Sequence, residues 1–239
     1  MIVLDKQNYF IIIHQRAHAL LSSKLLFNLK TEFKLETYNF FETLITTSAH
    51  DDGFAYSKGS YYITEEGFPK DFRKNEFEKE ASMQILENAK LKSTWCYLLI
   101  LSHMENLHAD KEEEEIKNFL SYVQSEKNNV LKEQGILAKD LQNSYDMVKW
   151  ADECSLQLCF HIKEPLKEQK IPGFQTIKSF SLTGYKSGYK LHPYPFSDRP
   201  LKLSLEYKKI PKRKFTSDSD LYNTLDAESI KKTIIKIYG

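Results

Sequence analysis

Apolar and polar residues alternate with two different periods along this 239-residue chain, and the period changes near Pro165. Up to about residue 161 the spacing is helical. From Arg16 to Leu29, the residues His18, Leu21, Leu25 and Leu29 fall at i, i+3, i+7 and i+11, predicting a helix with a histidine on its apolar stripe. A second helix, about Glu36 to Asp51, carries Phe40, Phe41, Leu44, Ile45, Ser48 and Ala49 at helical spacing and stops before Gly53. His50 and Asp51 then leave the last turn of a largely buried helix, about 100° apart. A further helical stretch opens near Asn75 and breaks near Lys90-Leu91-Lys92; its second part sets Cys96, Leu99 and His103 on one stripe. Asp110 with Glu113 resembles a capping box, and Ile116, Phe119, Leu120 and Val123 mark an amphipathic helix to about Glu133.

The helix from Ala138 to Phe160 is the most informative. Leu141, Tyr145, Val148, Asp152, Ser155 and Cys159 follow one another at spacings of 4, 3, 4, 3 and 4, which is a buried seam with a carboxylate in it. An unpaired carboxylate there is strongly disfavoured or forced neutral, so Asp152 needs a metal, a cation or a hydrogen-bond network.

The chain ends read differently. Met1–Leu4 and Tyr9–Ile13 predict two short strands around an Asp5–Asn8 turn, and 176–182, 189–191, 201–207 and 233–238 alternate as strands, with a short helix at 218–226. A lone hairpin is marginal, so both ends are expected to share one small sheet. The predicted class is mainly α with a small β-sheet (α+β), one domain over 1–239, with a helical core at 14–161 and a β-rich subdomain from 1–13 and 174–239.

Composition narrows the function. Apolar content of 41% supports a real core. A formal charge of +1 gives no global field for nucleic acid or an anionic membrane, and the basic run Lys208 to Lys214, broken by Pro211, reads as a solvated strand end. No apolar stretch reaches the roughly 20 residues of a membrane span, and Met1–Asp5 lacks the features of a signal peptide. Cys96, Cys154 and Cys159 form no CxxC pair and suit a reducing cytoplasm. There is no HExxH, Walker A or GxGxxG motif.

The polar residues on apolar helical faces are His18, His50-Asp51, His103 and Asp152, an H…HD…H…D order on four helices. This resembles the HD-domain superfamily of metal-dependent phosphohydrolases, and the resemblance implies an HD-like helical core. It also implies that His18, His50, Asp51 and Asp152 hold a divalent transition metal. His103 then adds a ligand to a second ion or acts on the substrate. A closer resemblance is to the bacterial domain-of-unknown-function family 3891. It rests on the N-terminal strand pair leading into Gln15–Ala19, on His50–Gly53, Leu101–His103, Trp150–Asp152 with Ser155-Leu156, and Pro193–Phe196.

The chemistry so implied is phosphoester hydrolysis by metal-activated water on a nucleotide or other small phosphorylated metabolite, with Mn, Fe or Zn as one or two ions. Asp51, Asp52 and His103 are the candidate catalytic groups. A long loop, Phe54 to Asn75, is rich in aromatics and offers Lys58 and Arg73 for an anionic substrate. The alternatives are a non-catalytic or degenerate HD-like small-molecule-binding domain and an HD-fold di-iron oxygenase. No nucleic-acid or membrane partner is expected.

Overall fold

The computed structural model describes residues 1–52, 63–162 and 164–239. In chain order these form strands β1 (Ile2–Asp5) and β2 (Tyr9–Ile13) and then helices α1 (Gln15–Phe27), α2 (Thr31–Leu35) and α3 (Phe40–Ala49). Helices α4 (Lys79–Lys90), α5 (Thr94–His108), α6 (Glu114–Gln134) and α7 (Ala138–Phe160) follow. The chain closes with β3 (Gln169–Pro172), β4 (Ser179–Tyr185), β5 (Gly188–His192), β6 (Leu201–Pro211), α8 (Asp218–Ala227) and β7 (Lys231–Tyr238).

The expected class, a small sheet on a mainly helical HD-like core, is overturned. The chain is about 50% helical and carries a curled, mixed seven-stranded sheet in the order β1-β2-β6-β7-β5-β4-β3. Three pairings make the sheet large. The eleven-residue β6 pairs with β2 on one side and β7 on the other, and β7 then pairs in parallel with β5. Such contacts join segments far apart in sequence, and local periodicity does not encode them. Strand β3 was also unforeseen: it is four residues long, ends in Pro172, and has no alternation long enough to read.

One face of this sheet supplies Ile11, Ile13, Leu182, Leu191, Leu203, Leu205, Ile235 and Ile237 to the main core, which they share with Leu21 and Leu25 of α1 and Trp150, Cys154 and Leu158 of α7. A second cluster packs Ile85 and Leu86 of α4 against Tyr97 and Leu101 of α5 and Phe119 and Val123 of α6. These two cores hold α1, α3, α5 and α7 side by side.

Helix α3 corrects a second expectation. Its apolar residues only partly form the buried face: Phe40 and Leu44 are half-buried against the main core, whereas Phe41 is 72% exposed and Ile45 38% exposed. Thr43, Thr46, Thr47 and His50 are buried instead. Each threonine hydroxyl donates to the carbonyl four residues earlier, at 2.8–3.1 Å, so the polar face enters the core with its hydrogen bonds made. Trp95 Nε1 also donates to Thr43 Oγ1 at 3.0 Å. The helix is shorter than the expected Glu36–Asp51 because Asn39 sits at a left-handed φ of 46° and separates α2 from α3. Asp110 does not cap α6; the capping position is Glu113, with no side-chain bond. The far end of α6 closes on Gly135, whose φ of 62° is ordinary only for a residue without Cβ.

Candidate metal centre

Four helices deliver the polar residues to one place. His18 comes from the first turns of α1, His50 is the residue at which α3 ends, His103 lies inside α5, and Asp152 is in the seam of α7. Asp51 follows His50 directly. His18 Nε2 lies 2.8 Å from Asp152 Oδ1 and 3.7 Å from Asp51 Oδ2. His50 Nε2 lies 3.3 Å from the same Asp152 oxygen and 3.5 Å from the same Asp51 oxygen. The His103 ring meets that of His50 edge-on, with centroids 5.1 Å apart. Two triads, His18/His50/Asp152 and His50/Asp51/His103, each bring three ligand atoms within 4.8 Å of one another.

The protons on the imidazoles follow from their outer partners. His50 Nδ1 is 2.7 Å from the Thr47 carbonyl, which only accepts, so Nδ1 carries the hydrogen. In neutral His50 the lone pair at Nε2 therefore faces two carboxylate oxygens. His18 reaches the same state through serines. His18 Nδ1 lies 2.6 Å from Ser155 Oγ, which is also 3.1 Å from the Asp152 carbonyl and 2.7 Å from Ser22 Oγ; with the Ser155 proton on that carbonyl, Nδ1 donates and Nε2 is left for a cation. Two imidazole lone pairs and two carboxylates pointing at one another repel unless positive charge lies between them. Either a proton or a cation satisfies that demand.

The electrostatics agree. Burial alone would lower the His50 pKa, but the Asp51 and Asp152 carboxylates outweigh it and raise it to about 10. Burial would raise Asp152, yet His50 and His18 hold it well below the usual carboxylate range. His103 behaves oppositely: burial and the neighbouring His50 charge push it down to about 4, so it is neutral at pH 7. Its Nδ1 is buried without a hydrogen-bond partner among the described residues. With a cation in place of the proton, His18 and His50, whose Nδ1 atoms are held by Ser155 and Thr47, would offer two neutral imidazoles beside ionised carboxylates, a donor set that suits Mn, Fe or Zn. The residues present therefore fit a divalent transition metal.

The remaining sequence candidates lie around this cluster. Asp52 belongs to neither triad and pairs with Arg16, its Oδ1 3.2 Å from Nε. Arg73 is tied to Asp71, Nε to Oδ1 at 2.6 Å, and its guanidinium lies over the Phe160 ring at 4.5 Å. Lys58 lies outside the described residues. His18, Asp51, His103, Asp152 and Arg73 share one open cavity of about 1470 Å³. Sequence reasoning missed the roles of Ser22, Thr47 and Gln15, whose Nε2 is 3.3 Å from Asp51 Oδ2. Ser155 could have been found: it sits one seam position after Asp152. No pattern in the sequence marks the Thr47 carbonyl.

A family described as Protein of unknown function (DUF3891) matches residues 1–212, which contain every residue of the centre. The chain belongs to this family. No curated protein and no solved structure matches the chain. Among the described residues no helix is long and apolar enough to cross a membrane.

Proposed function

We propose that this protein is a metal-dependent hydrolase of a small phosphorylated metabolite or nucleotide, using an HD-like ligand set. The observation that carries the reading is the convergence of His18, His50, Asp51 and Asp152, with nitrogens and oxygens 2.8–3.7 Å apart and both Nε2 atoms turned towards the carboxylates. His18, His50 and Asp152 would hold one ion, and Asp51 with His103 would extend the set to a second. When bound there, a divalent ion supplies Lewis-acid polarisation of a phosphoryl oxygen and a more acidic water.

The protein's own groups do the rest. Thr47 and Ser155 fix the two rings, so little reorganisation is needed on binding. His103 stays neutral and suits a ligand or hydrogen-bond role better than that of a proton donor, because an acid with a pKa near 4 is already deprotonated at pH 7. Arg16, Lys24 and Arg73 line the cavity together with Glu76, Glu78 and Glu206, so binding of a phosphoryl group would rest mainly on the bound ion. Asp52 is engaged by Arg16 and is not assigned to the chemistry.

A screen of phosphorylated metabolites with Mn, Mg, Co and Zn tests the reading, with Asp51→Ala as control. Phosphate release by wild type and not by the variant supports it. Equal release from both overturns it. Iron-loaded protein that consumes oxygen without releasing phosphate would instead identify the oxygenase chemistry.

A further inference from the structure

The formal charge of +1 hides a division. Residues 164–239 hold 15 Lys and Arg against 8 Asp and Glu, a charge of +7, whereas residues 1–163 hold 19 against 25, a charge of −6. Strand register shows where the positive charge goes. Lys202 pairs with Lys236 and Glu206 with Lys232. Lys190 pairs with Tyr238 on one side and Thr183 on the other, and Lys170 pairs with Ser181. Directly paired residues share a face, so Lys170, Lys190, Lys202, Lys232 and Lys236 stand on one side of the sheet. The opposite side holds Leu201, Leu203, Leu191, Leu182 and Ile171, all in the main core.

This basic side is open to solvent. Among the described residues, helix α8 covers the Lys208–Ile210 end of β6 through Leu221 and Leu225, with Ile63 and Phe68 beside it. The five lysines are exposed or half-buried, Ile234 among them is 52% exposed and Tyr185 39% exposed. The rings of Tyr185 and Tyr238 meet edge-on at 5.3 Å, and Lys186 Nζ lies 5.0 Å from the Tyr185 centroid. Acids on this side include Glu206, opposite Lys232, and Glu168, which accepts the Ser181 hydroxyl at 2.6 Å. Lys202 opposite Lys236 is a like-charge pair, which costs stability in a free sheet and is relieved by an anion bridging it.

We propose that this sheet face binds single-stranded nucleic acid. Lysines repeating along and across the strands match a chain of phosphates, and the exposed Tyr185 ring, with the half-buried Tyr238 beside it, offers a base a surface on which to stack. Among the described residues the lysine-bearing part of this face carries no projecting helix or ribbon to enter a duplex groove, α8 being packed on the Lys208–Ile210 end, which favours a single strand over a double helix. Ser204 and Glu206, on the same face, also line the cavity that contains the metal centre, so a strand lying on the sheet reaches its mouth. The proposal stands on the sheet alone and does not need the hydrolase reading.

The test is fluorescence anisotropy with the intact protein and a labelled oligo-uridylate of about 15 nucleotides, within single-strand site sizes. Five phosphate contacts predict a slope of about −3.5 in a plot of log K against log salt. The surface variant Lys190→Gln/Lys202→Gln/Lys232→Gln should lose about 100-fold in affinity near 0.1 M salt and flatten the slope by about 2. Lys132→Gln/Lys139→Gln, on the helical side, should leave both unchanged. Tyr185→Leu should weaken binding about tenfold without altering the slope, since stacking is not ionic. No binding at low salt, equal affinity for the lysine triple variant and wild type, or binding only to phosphatidylserine vesicles overturns the proposal.

Discussion

Ser155→Ala removes one oxygen atom and probes the centre without touching a ligand. The hydroxyl is fully buried and makes three contacts, with His18 Nδ1 at 2.6 Å, Ser22 Oγ at 2.7 Å and the Asp152 carbonyl at 3.1 Å. In the variant the His18 N–H loses the acceptor that Ser155 Oγ provides. A buried donor left unsatisfied costs about 1–3 kcal/mol, which urea unfolding in the presence of a chelator would read as a lower midpoint at unchanged slope. The ring is also free to turn or to take the other tautomer. Loss of such an outer partner lowers metal affinity about 10–100-fold, or about 1.4–2.7 kcal/mol. Calorimetric titration of chelator-stripped protein with Mn or Co measures this directly. Ser22→Ala should give the smaller effect, because Ser22 touches Ser155 and not the ring. Metal affinity within about twofold of wild type in Ser155→Ala would refute the assignment of His18 as a ligand positioned through Nδ1.

Other outcomes follow from the same structure. Thr43→Val keeps the shape of α3 but strands the Trp95 indole N–H, which now donates at 3.0 Å, and should cost about 1–3 kcal/mol in urea unfolding; Phe41→Ser, at a position 72% exposed, should stay within about 0.5 kcal/mol. Burial pushes the Cys154 thiol up to about 12 and Cys159 up as well, so neither should react with a disulfide reagent at mildly alkaline pH until the protein unfolds. Metal-free protein should lose stability as pH rises. The His50 pKa is raised from 6.5 to about 10, so its contribution is complete below 6.5 and is lost on passing 10. Melting temperatures across that range should fall for chelated protein and stay level for metal-loaded protein, in which a cation replaces the proton.

The parts of the fold that were legible in the sequence are those whose burial follows apolar periodicity. The seam of α7 is one, because Leu141, Tyr145 and Val148 announce the face on which Asp152 and Ser155 lie. The strand pair at the N-terminus is another, with Ile2 opposite Ile13 and Leu4 opposite Ile11. Helix α3 resisted reading because threonines that hydrogen-bond to their own helix can be buried, while Phe41 and Ile45 remain outside. The size of the sheet was hidden for a different reason. The β5–β7 pairing in parallel depends on where β6 and α8 return the chain, and no local signal records that path. At the centre, the residue types and order were visible, but the Arg16–Asp52 pair and the serine chain behind His18 are tertiary facts.

The central claim is that the His18, His50, Asp51 and Asp152 cluster exists to hold a cation. Elemental analysis of protein purified without chelator, wild type beside Asp51→Ala, tests it most directly. Wild type should carry a stoichiometric transition metal, and Asp51→Ala should lose it while remaining folded. Wild-type protein that carries no metal, and takes none up on reconstitution with Mn, Fe or Zn, would contradict it.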